Sequence, residues 1–342
     1  MEIIIGDIHG SLKQFLYPFY SKGLCSDIDM KENRIEFLNL DLKDTKLIFT
    51  GDIFYGQDDD CIIANTLAYL CLKYDNIEWL LGNRDLLVFA KILKPTIKIN
   101  ELAFSYKKSP FKRFEQINTE LLKSALLSKR IKVITRMKNG MLVSHAAITQ
   151  EGINELKEVL DSQSIVSVMN DEVVIETDMN DVYIPITNSF DCLEDLNDIF
   201  TKIENVPLFM TKLKIFWNKH IFNAIEECVI GHETFINEYP EEAIEKILKF
   251  GSWLTDEYCS MNVQCQDDRA KQFGLKTVNY KTIDIPTNIH HVDCNTTIYD
   301  LPCFFSFENG EWYFNGGDEE LKFKIIRKDG VIWKVIDEAQ DT

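Results

Sequence analysis

The sequence predicts an α/β protein whose ligand site lies at the ends of its strands. Five short apolar runs each stop at a glycine or serine and then present hydrophilic side chains. They are Ile3-Ile4-Ile5-Gly6-Asp7-Ile8-His9-Gly10, Leu47-Ile48-Phe49-Thr50-Gly51-Asp52, Trp79-Leu80-Leu81-Gly82-Asn83-Arg84-Asp85, Met141-Leu142-Val143-Ser144-His145 and Cys228-Val229-Ile230-Gly231-His232. Runs of this length, bounded by turn residues, read as buried strands. Helical patterns alternate with them, which points to α/β architecture. Ligands in open α/β sheets bind beyond the carboxyl ends of the strands, so all five tips can converge on one place.

The elements follow in order. Residues 11–20 read as a helix capped by Ser11 and ended or bent by Pro18. Residues 33–40 suit a strand or hairpin arm before the core strand at 46–50. Residues 58–74 read as an amphipathic helix with acidic residues at its N-terminal end, where the helix dipole favours them. A further helix is expected at 86–93, after Asn83. Residues 105–130 read as helical, and Lys107, Lys108, Lys112 and Arg113 cluster there. That cluster is either a solvated helix face or a rim that guides an anionic substrate.

Residues 150–223 are acidic, carry no site motif and include an expected strand at 172–176. Residues 239–270 read as helical and acidic. Strands return at 288–294, 303–308 and 311–315, the last two joined by a tight Asn309-Gly310 turn, and a charged hairpin at 321–336 follows. With no low-complexity linker or internal repeat, one domain is expected over about 1–320, with insertions at about 150–223 and 239–285. Residues 321–342 form the expected C-terminal strand hairpin and tail.

Composition bounds the function. At 342 residues the chain suits one large domain or two, and 45% hydrophobic residues suffice for a sizeable core. A net charge of −18 argues against an extended nucleic-acid surface, though not against a small nucleotide whose phosphates a metal neutralises. The longest apolar runs fall far short of the roughly 20 residues of a membrane helix. The N-terminus carries Glu2 and enters a strand at once, unlike a signal peptide. Nine cysteines are scattered without any Cys-x-x-Cys, so reduced thiols in a reducing, cytoplasmic compartment are expected, and no thiolate zinc site.

The strand tips offer Asp7, His9, Asp52, Asn83, His145 and His232. Asp7 and His9 are separated by one residue and can face the same site. Asp52 is the natural bridging group, because a carboxylate can give one oxygen to each of two metals. Asn83, His145 and His232 would complete a second site. Mixed oxygen and nitrogen ligands suit Mn²⁺, Fe or Zn²⁺. Two such ions about 3.5–4 Å apart supply a hydroxide nucleophile and stabilise phosphoryl oxygens during in-line displacement.

The order Gly-Asp-x-His-Gly, Gly-Asp, Gly-Asn-x-(Asp/Glu), a strand ending in His, then Gly-His resembles the calcineurin-like metallophosphoesterases. Within them it is most similar to the phosphoprotein phosphatase branch, which includes Ser/Thr protein phosphatases and bacterial diadenosine tetraphosphate hydrolases. The resemblance implies an αββα sandwich of two central mixed sheets flanked by helices, with a dimetal site at the strand carboxyl ends. It also implies that Asp7, His9 and Asp52 bind the first metal, and Asp52, Asn83, His145 and His232 the second. The strand expected at 288–294 resembles the family's closing strand.

Two motifs depart from that branch. Its second motif usually reads Gly-Asp-x-x-Asp-Arg-Gly, whereas this chain has Gly51-Asp52-Ile53-Phe54-Tyr55-Gly56. Its third usually reads Gly-Asn-His-Glu, whereas this chain has Gly82-Asn83-Arg84-Asp85. The family's proton donor and its orienting Asp are therefore both gone. An arginine does not donate a proton near neutral pH but can grip phosphate oxygens bidentately. Arg84 thus reads as a phosphate-binding group, the alternative being a structural salt bridge.

Loss of a general acid costs on the order of 10²–10⁴ in rate, and less when the leaving group is stable as an anion. This favours a phosphoanhydride, an aryl phosphate or an activated diester, unless Tyr55, His290 or His291 supplies the proton. His290 and His291 point to opposite faces of their strand, so at most one reaches the site. His220, in an aromatic-rich helical stretch, reads as structural.

The expected activity is dimetal-dependent hydrolysis of a phosphoric ester, in the manner of a protein phosphatase. Asp52, Arg84 and His290 are the expected catalytic residues, and Arg84 and Tyr55 the substrate-binding ones. A nucleotide hydrolase acting on a dinucleoside polyphosphate or phosphodiester is the alternative, and an inactive binding module on the same fold a further one.

Overall fold

A computed structural model describes residues 1–31, 33–93, 95, 98–99, 112–145, 175–176, 197, 228–231, 289–292, 302–316, 323–328 and 331–337. The chain opens with β1 (Glu2–Ile5), α1 (Leu12–Ser21), β2 (Asp27–Lys31), β3 (Arg34–Leu38), β4 (Lys46–Phe49), α2 (Asp60–Lys73), β5 (Ile77–Leu80) and α3 (Asn83–Leu93). It continues through β6 (Lys98–Ile99), a short 3-10 turn (Phe114–Gln116), α4 (Thr119–Leu127), β7 (Ile131–Lys132), β8 (Ile134–Arg136), β9 (Leu142–Ser144) and β10 (Ile175–Glu176). The later strands are β11 (Cys228–Ile230), β12 (Ile289–His291), β13 (Cys303–Glu308), β14 (Glu311–Gly316), β15 (Phe323–Lys328) and β16 (Val331–Asp337).

All five tip strands form, and they divide between two mixed sheets. The larger runs β14-β13-β1-β4-β5-β7, with β1, β4, β5 and β7 parallel and β13 antiparallel to β1. The smaller runs β12-β11-β9-β8, with β12, β11 and β9 parallel and β8 antiparallel to β9. Parallel neighbours end on the same side, so the loops after β1, β4 and β5 meet at one edge. The loops after β9 and β11 likewise meet at one edge. Ile3, Ile4, Ile5, Leu47, Ile48, Phe49, Trp79 and Leu80 are wholly buried, as strands covered on both faces require.

Polar contacts join the two sheets. Lys46 Nζ donates to the Arg136 carbonyl at 3.1 Å, and the Lys138 amide donates to the Glu2 carboxylate at 3.0 Å. Glu78 receives Lys46 at 3.1 Å and Lys132 at 2.6 Å. Burial opposes the charge on Glu78, but the two lysines outweigh it and hold its carboxyl below the ordinary value.

The helices show what spacing could not. Ser11 does cap α1, accepting the Gln14 amide at 3.2 Å. Pro18 does not end it; the helix runs on to Ser21. Proline removes one backbone hydrogen bond, and burial of Phe15 and Phe19 offsets the loss. Their rings lie 5.6 Å from Phe49 and 4.3 Å from Phe37 respectively.

Expected as amphipathic, α2 is instead buried on nearly every face, including Cys61, Ile63, Ala64, Leu67, Ala68 and Cys71. The β2–β3 hairpin covers its outer side, where Thr66 Oγ1 accepts the Ile35 amide at 2.8 Å. α3 starts at Asn83, three residues earlier than the apolar spacing indicated, because Leu86 N bonds back to Gly82 O at 3.0 Å. The helix expected over 105–130 is interrupted within its described part. Arg113 adopts left-handed backbone (φ 57°), and Asn118 opens a new helix by accepting the Leu121 amide.

Of the strand expected at 172–176, only β10 is described, paired with β6. The expected helical stretch at 239–270 lies outside the described residues. The Asn309-Gly310 turn and the terminal hairpin β15–β16 form as expected, both turn residues having positive φ. Cys25, Cys61 and Cys71 are free, buried thiols. Among the described residues, no helix is long and apolar enough to cross a membrane.

Gly51 and Gly82 bring two tip loops into backbone contact. A Cβ on Gly82 would stand 2.2 Å from the Asp52 amide nitrogen, and one on Gly51 (φ 110°) would stand 2.4 Å from Gly82 N. Backbone cannot give way as a flexible side chain can. Gly82→Ala is therefore expected to destabilise the chain by about 1–3 kcal/mol, at or above the usual cost of overpacking. A chemical denaturation midpoint equal to wild type would show that the loops do not depend on this approach.

Candidate metal centre

Two loops are laced together by their backbones. Ile8, His9 and Gly10 donate to the carbonyls of Gly51, Asp52 and Ile53 at 3.4, 2.7 and 3.0 Å. His9 (φ 47°) and Asp52 (φ 48°) both occupy the left-handed region. Non-glycine residues there cost free energy, persist only where the surroundings over-determine them, and concentrate at functional sites.

The side chains from these loops meet in the interior. Asp7 and Asp52 are each 2% exposed and His145 is fully buried. His9 Nε2 lies 3.5 Å from Asp7 Oδ2 and 3.4 Å from Asp52 Oδ2. On the other side, His145 Nδ1 lies 3.5 Å from Asp7 Oδ1, and its Nε2 lies 3.6 Å from Asp52 Oδ1. Asp7, Asp52 and His145 each offer one ligand atom, and these atoms all lie within 4.8 Å of one another. His145 Nδ1 also donates to the Thr50 carbonyl at 2.9 Å. That bond orients the ring and leaves Nε2 as its lone-pair nitrogen, the arrangement seen in metal-bound histidines.

Burial and charge pull against each other here. Burial raises the Asp52 carboxyl, but His145, His9 and Arg84 outweigh it and hold the group below the usual carboxylate range. Burial lowers the His145 imidazole, which keeps it neutral and able to ligate.

The tips that came from different sheets converge unequally. Asn83 opens α3 directly after Gly82, and the next amide, Arg84 N, donates to Asp52 Oδ1 at 3.0 Å. The tip of β11 reaches the cluster, since a Cβ on Gly231 would stand 2.5 Å from Asp7 Oδ1. His232 is the next residue and lies outside the described residues. His290 pairs with Val229 in the backbone of β12, its side chain being outside the description.

Arg84 is buried, with Nε 3.6 Å from Asp52 Oδ2 and its guanidinium 4.1 Å from the Tyr55 ring centroid. Tyr55 in turn lies 4.4 Å from the His9 ring. Of the basic cluster, Lys112 and Arg113 pair with Asp58 at 2.9 and 3.2 Å, while Lys107 and Lys108 lie outside the described residues.

Two buried carboxylates were given no role by sequence reasoning. Asp60 Oδ2 accepts the amides of Tyr55, Gly56 and Gln57 at 2.8, 2.6 and 3.2 Å. Burial pushes its carboxyl up to about 7 despite these donors. Asp85 accepts four N–H groups, and burial together with the Asp52 charge pushes its carboxyl up to about 7. Asp85 was visible as the acidic position of the third motif; only its partners show what it does.

Buried carboxylates and a neutral histidine gathered where strands of two α/β sheets end make a donor set suited to a divalent metal ion. The model of the calcineurin-like phosphoesterase family matches residues 3–209, more than half of the 342, and the chain belongs to that family. Membership makes it a phosphoesterase by class. The match takes in four of the five tips and ends before Gly231. No curated protein matches the chain.

Asp60 generates a pH prediction. Its folded pKa of about 7 lies above the ordinary 3.8, so the folded chain keeps a proton that the unfolded chain releases. That contribution is full below the ordinary value and is lost as pH rises towards about 7. The metal-free chain is expected to melt at a higher temperature at pH 5 than at pH 8, and Asp60→Asn to reduce that difference, Asp85 supplying the same sign of dependence. An unchanged slope in the variant would remove Asp60 as a source.

Proposed function

We propose that the chain is a dimetal phosphoric ester hydrolase resembling the protein phosphatases, with Asp7, His9, Asp52, Asn83, His145 and His232 as the ligand set. The observation that carries this reading is the buried convergence of Asp7, Asp52 and His145 within 4.8 Å of one another. The donor chemistry fits divalent Mn²⁺, Fe or Zn²⁺: anionic oxygens and a neutral imidazole, with no thiolate among them. Divalent ions, when bound, supply Lewis acidity that activates water and neutralises phosphoryl charge. Asp52, with an oxygen towards each histidine, would hold the ions between them.

Around that centre the chain's own groups set the substrate. Arg84 lies beside Asp52 where its guanidinium can grip phosphate oxygens, and packing on Tyr55 holds it there. With arginine in place of the branch's acid, the favoured substrates carry leaving groups that depart as anions. An aryl phosphate of the phosphotyrosine type fits this, and a dinucleoside polyphosphate is the second reading, favoured by the same Arg84 geometry. His290, on a strand adjoining β11, is the proposed proton source for poorer leaving groups. The sheets are proposed to form the αββα sandwich, within one domain over about 1–320 carrying insertions at about 150–223 and 239–285, in a cytoplasmic protein. The inter-sheet bonds of Lys46 and Glu2 support that packing.

A Mn²⁺-supplemented panel of p-nitrophenyl phosphate, bis-p-nitrophenyl phosphate, phosphopeptides and diadenosine tetraphosphate tests the reading. Turnover of a monoester or anhydride, abolished by chelation, is expected; silence on all four with Mn²⁺ bound would make the chain a binding module. Asp52→Asn is expected to cut turnover by more than about 100-fold, exceeding the usual cost of losing a group that merely supports a metal ligand. Arg84→Ala is expected to raise KM by about 10–100-fold, the worth of a hydrogen bond to a charged group, with a smaller change in kcat. Loss of metal content without a KM change would refute the phosphate grip.

A further inference from the structure

We propose that Asp85 is a positioning residue that clamps the Asp52 loop to the Asn83 turn through both of its carboxylate oxygens. Oδ1 accepts Ile53 N at 2.9 Å and Phe54 N at 3.3 Å, the two amides directly after Asp52. Oδ2 accepts Gly82 N at 3.0 Å, the amide directly before Asn83, and the indole Nε1 of Trp79 at 3.0 Å. The carboxylate is wholly buried. One side chain therefore ties the backbone that follows one ligand to the backbone that precedes another, and the indole of β5 fixes its orientation.

The need for such a clamp is local. Asp52 holds a left-handed backbone (φ 48°), a conformation that aspartate tolerates but at a cost in free energy. Its carbonyl is secured by His9 N at 2.7 Å. The N–H of that same peptide, Ile53 N, and the next amide, Phe54 N, are secured by Asp85. Without that hold, the loop can relax towards ordinary backbone and turn the Asp52 carboxylate away from His9 and His145.

The two buried aspartates next to this loop make opposite demands on their oxygens. Each oxygen of Asp85 faces two donors, so an asparagine there must aim an NH₂ at a pair of N–H groups. Asp60 uses Oδ2 for all three of its amides, and among the described residues its Oδ1 has no hydrogen-bond partner and lies against Gly10. An asparagine at 60 can keep its oxygen on the amides and turn its NH₂ to the other side. The same isosteric change should thus be damaging at one site and mild at the other.

The proposal rests on the metal-centre reading above, and the test separates the two. In the full chain, Asp85→Asn is expected to weaken Mn²⁺ binding, measured by calorimetric titration, by about 10–100-fold. At saturating Mn²⁺ it should lower kcat for p-nitrophenyl phosphate with KM unchanged, while Asp60→Asn stays close to wild type in both. Amide exchange on the metal-free chain reads the clamp directly. Ile53, Phe54 and Gly82 should exchange about tenfold faster or more in Asp85→Asn, as loss of a hydrogen bond to a charged group allows, with β1 amides unchanged.

Wild-type Mn²⁺ affinity and exchange rates in Asp85→Asn, or equal losses in both variants, would overturn the proposal. If wild type itself binds no Mn²⁺ while the exchange contrast holds, the metal reading fails and the clamp stands. Should Asp85→Asn not fold, Asp85→Glu keeps two accepting oxygens but displaces them by a methylene. Weakened Mn²⁺ binding in that folded variant is expected, and unchanged binding would overturn the clamp.

Discussion

The contact between the Asp52 loop and Gly82 is the constraint from which the rest of the centre follows. Leaving no room for a side chain at Gly51 or Gly82, it brings the end of β4 against the end of β5 so that Arg84 N can reach Asp52 Oδ1. The backbone ladder from Ile8–Gly10 to Gly51–Ile53 then adds the end of β1. Three strand tips become one rigid rim, and His145 enters from the second sheet through its bond to Thr50 O. Ligand atoms need sub-ångström placement to share an ion, and short loops locked backbone to backbone provide it.

Electrostatics explains why this arrangement is tolerable inside a protein. Asp7 and Asp52 are nearly inaccessible to water, and buried like charges are costly unless compensated. His9 and Arg84 supply part of the compensation. A divalent cation bound among these carboxylates would supply the rest, so the cost of gathering them would be recovered as affinity for metal. Asp60 and Asp85 lie in a second ring, bonded to backbone amides rather than to the cluster.

The residues proposed for the substrate side differ from those of the phosphatase branch whose motifs the sequence resembles. Where that branch has a proton-donating histidine, this chain has Arg84, tied to Asp52 and packed against Tyr55. Tyr55 also meets His9, so the residue standing where the branch has its orienting Asp takes part in one packed array instead of a proton relay. The proposed ligand set follows the motifs of that branch, whereas the groups proposed to handle the leaving group depart from them.

The five tip strands, their order and the residues at each tip were legible in the sequence, because buried parallel strands are continuous apolar runs and turn residues mark their ends, whereas β2, β6, β7 and β8 were not. Asp7, His9, Asp52, Asn83 and His145 stood out for that reason alone. Burial all round α2, the passage of α1 through Pro18 and the break before α4 were not legible. Each depends on what another element packs against it: the β2–β3 hairpin, the Phe37 and Phe49 rings, and the Asn65 side chain of α2 that accepts the Asn118 amide. Asp85 makes the same point within the site, since a motif can show that an acid is present but not that four donors surround it. Local patterning determined which residues go to the strand ends, because side-chain period and turn chemistry are properties of neighbours in the chain. Only the tertiary structure decided which of them meet and which hold the others in place, because hydrogen bonds between residues 30 or more positions apart exist only once the sheets have assembled.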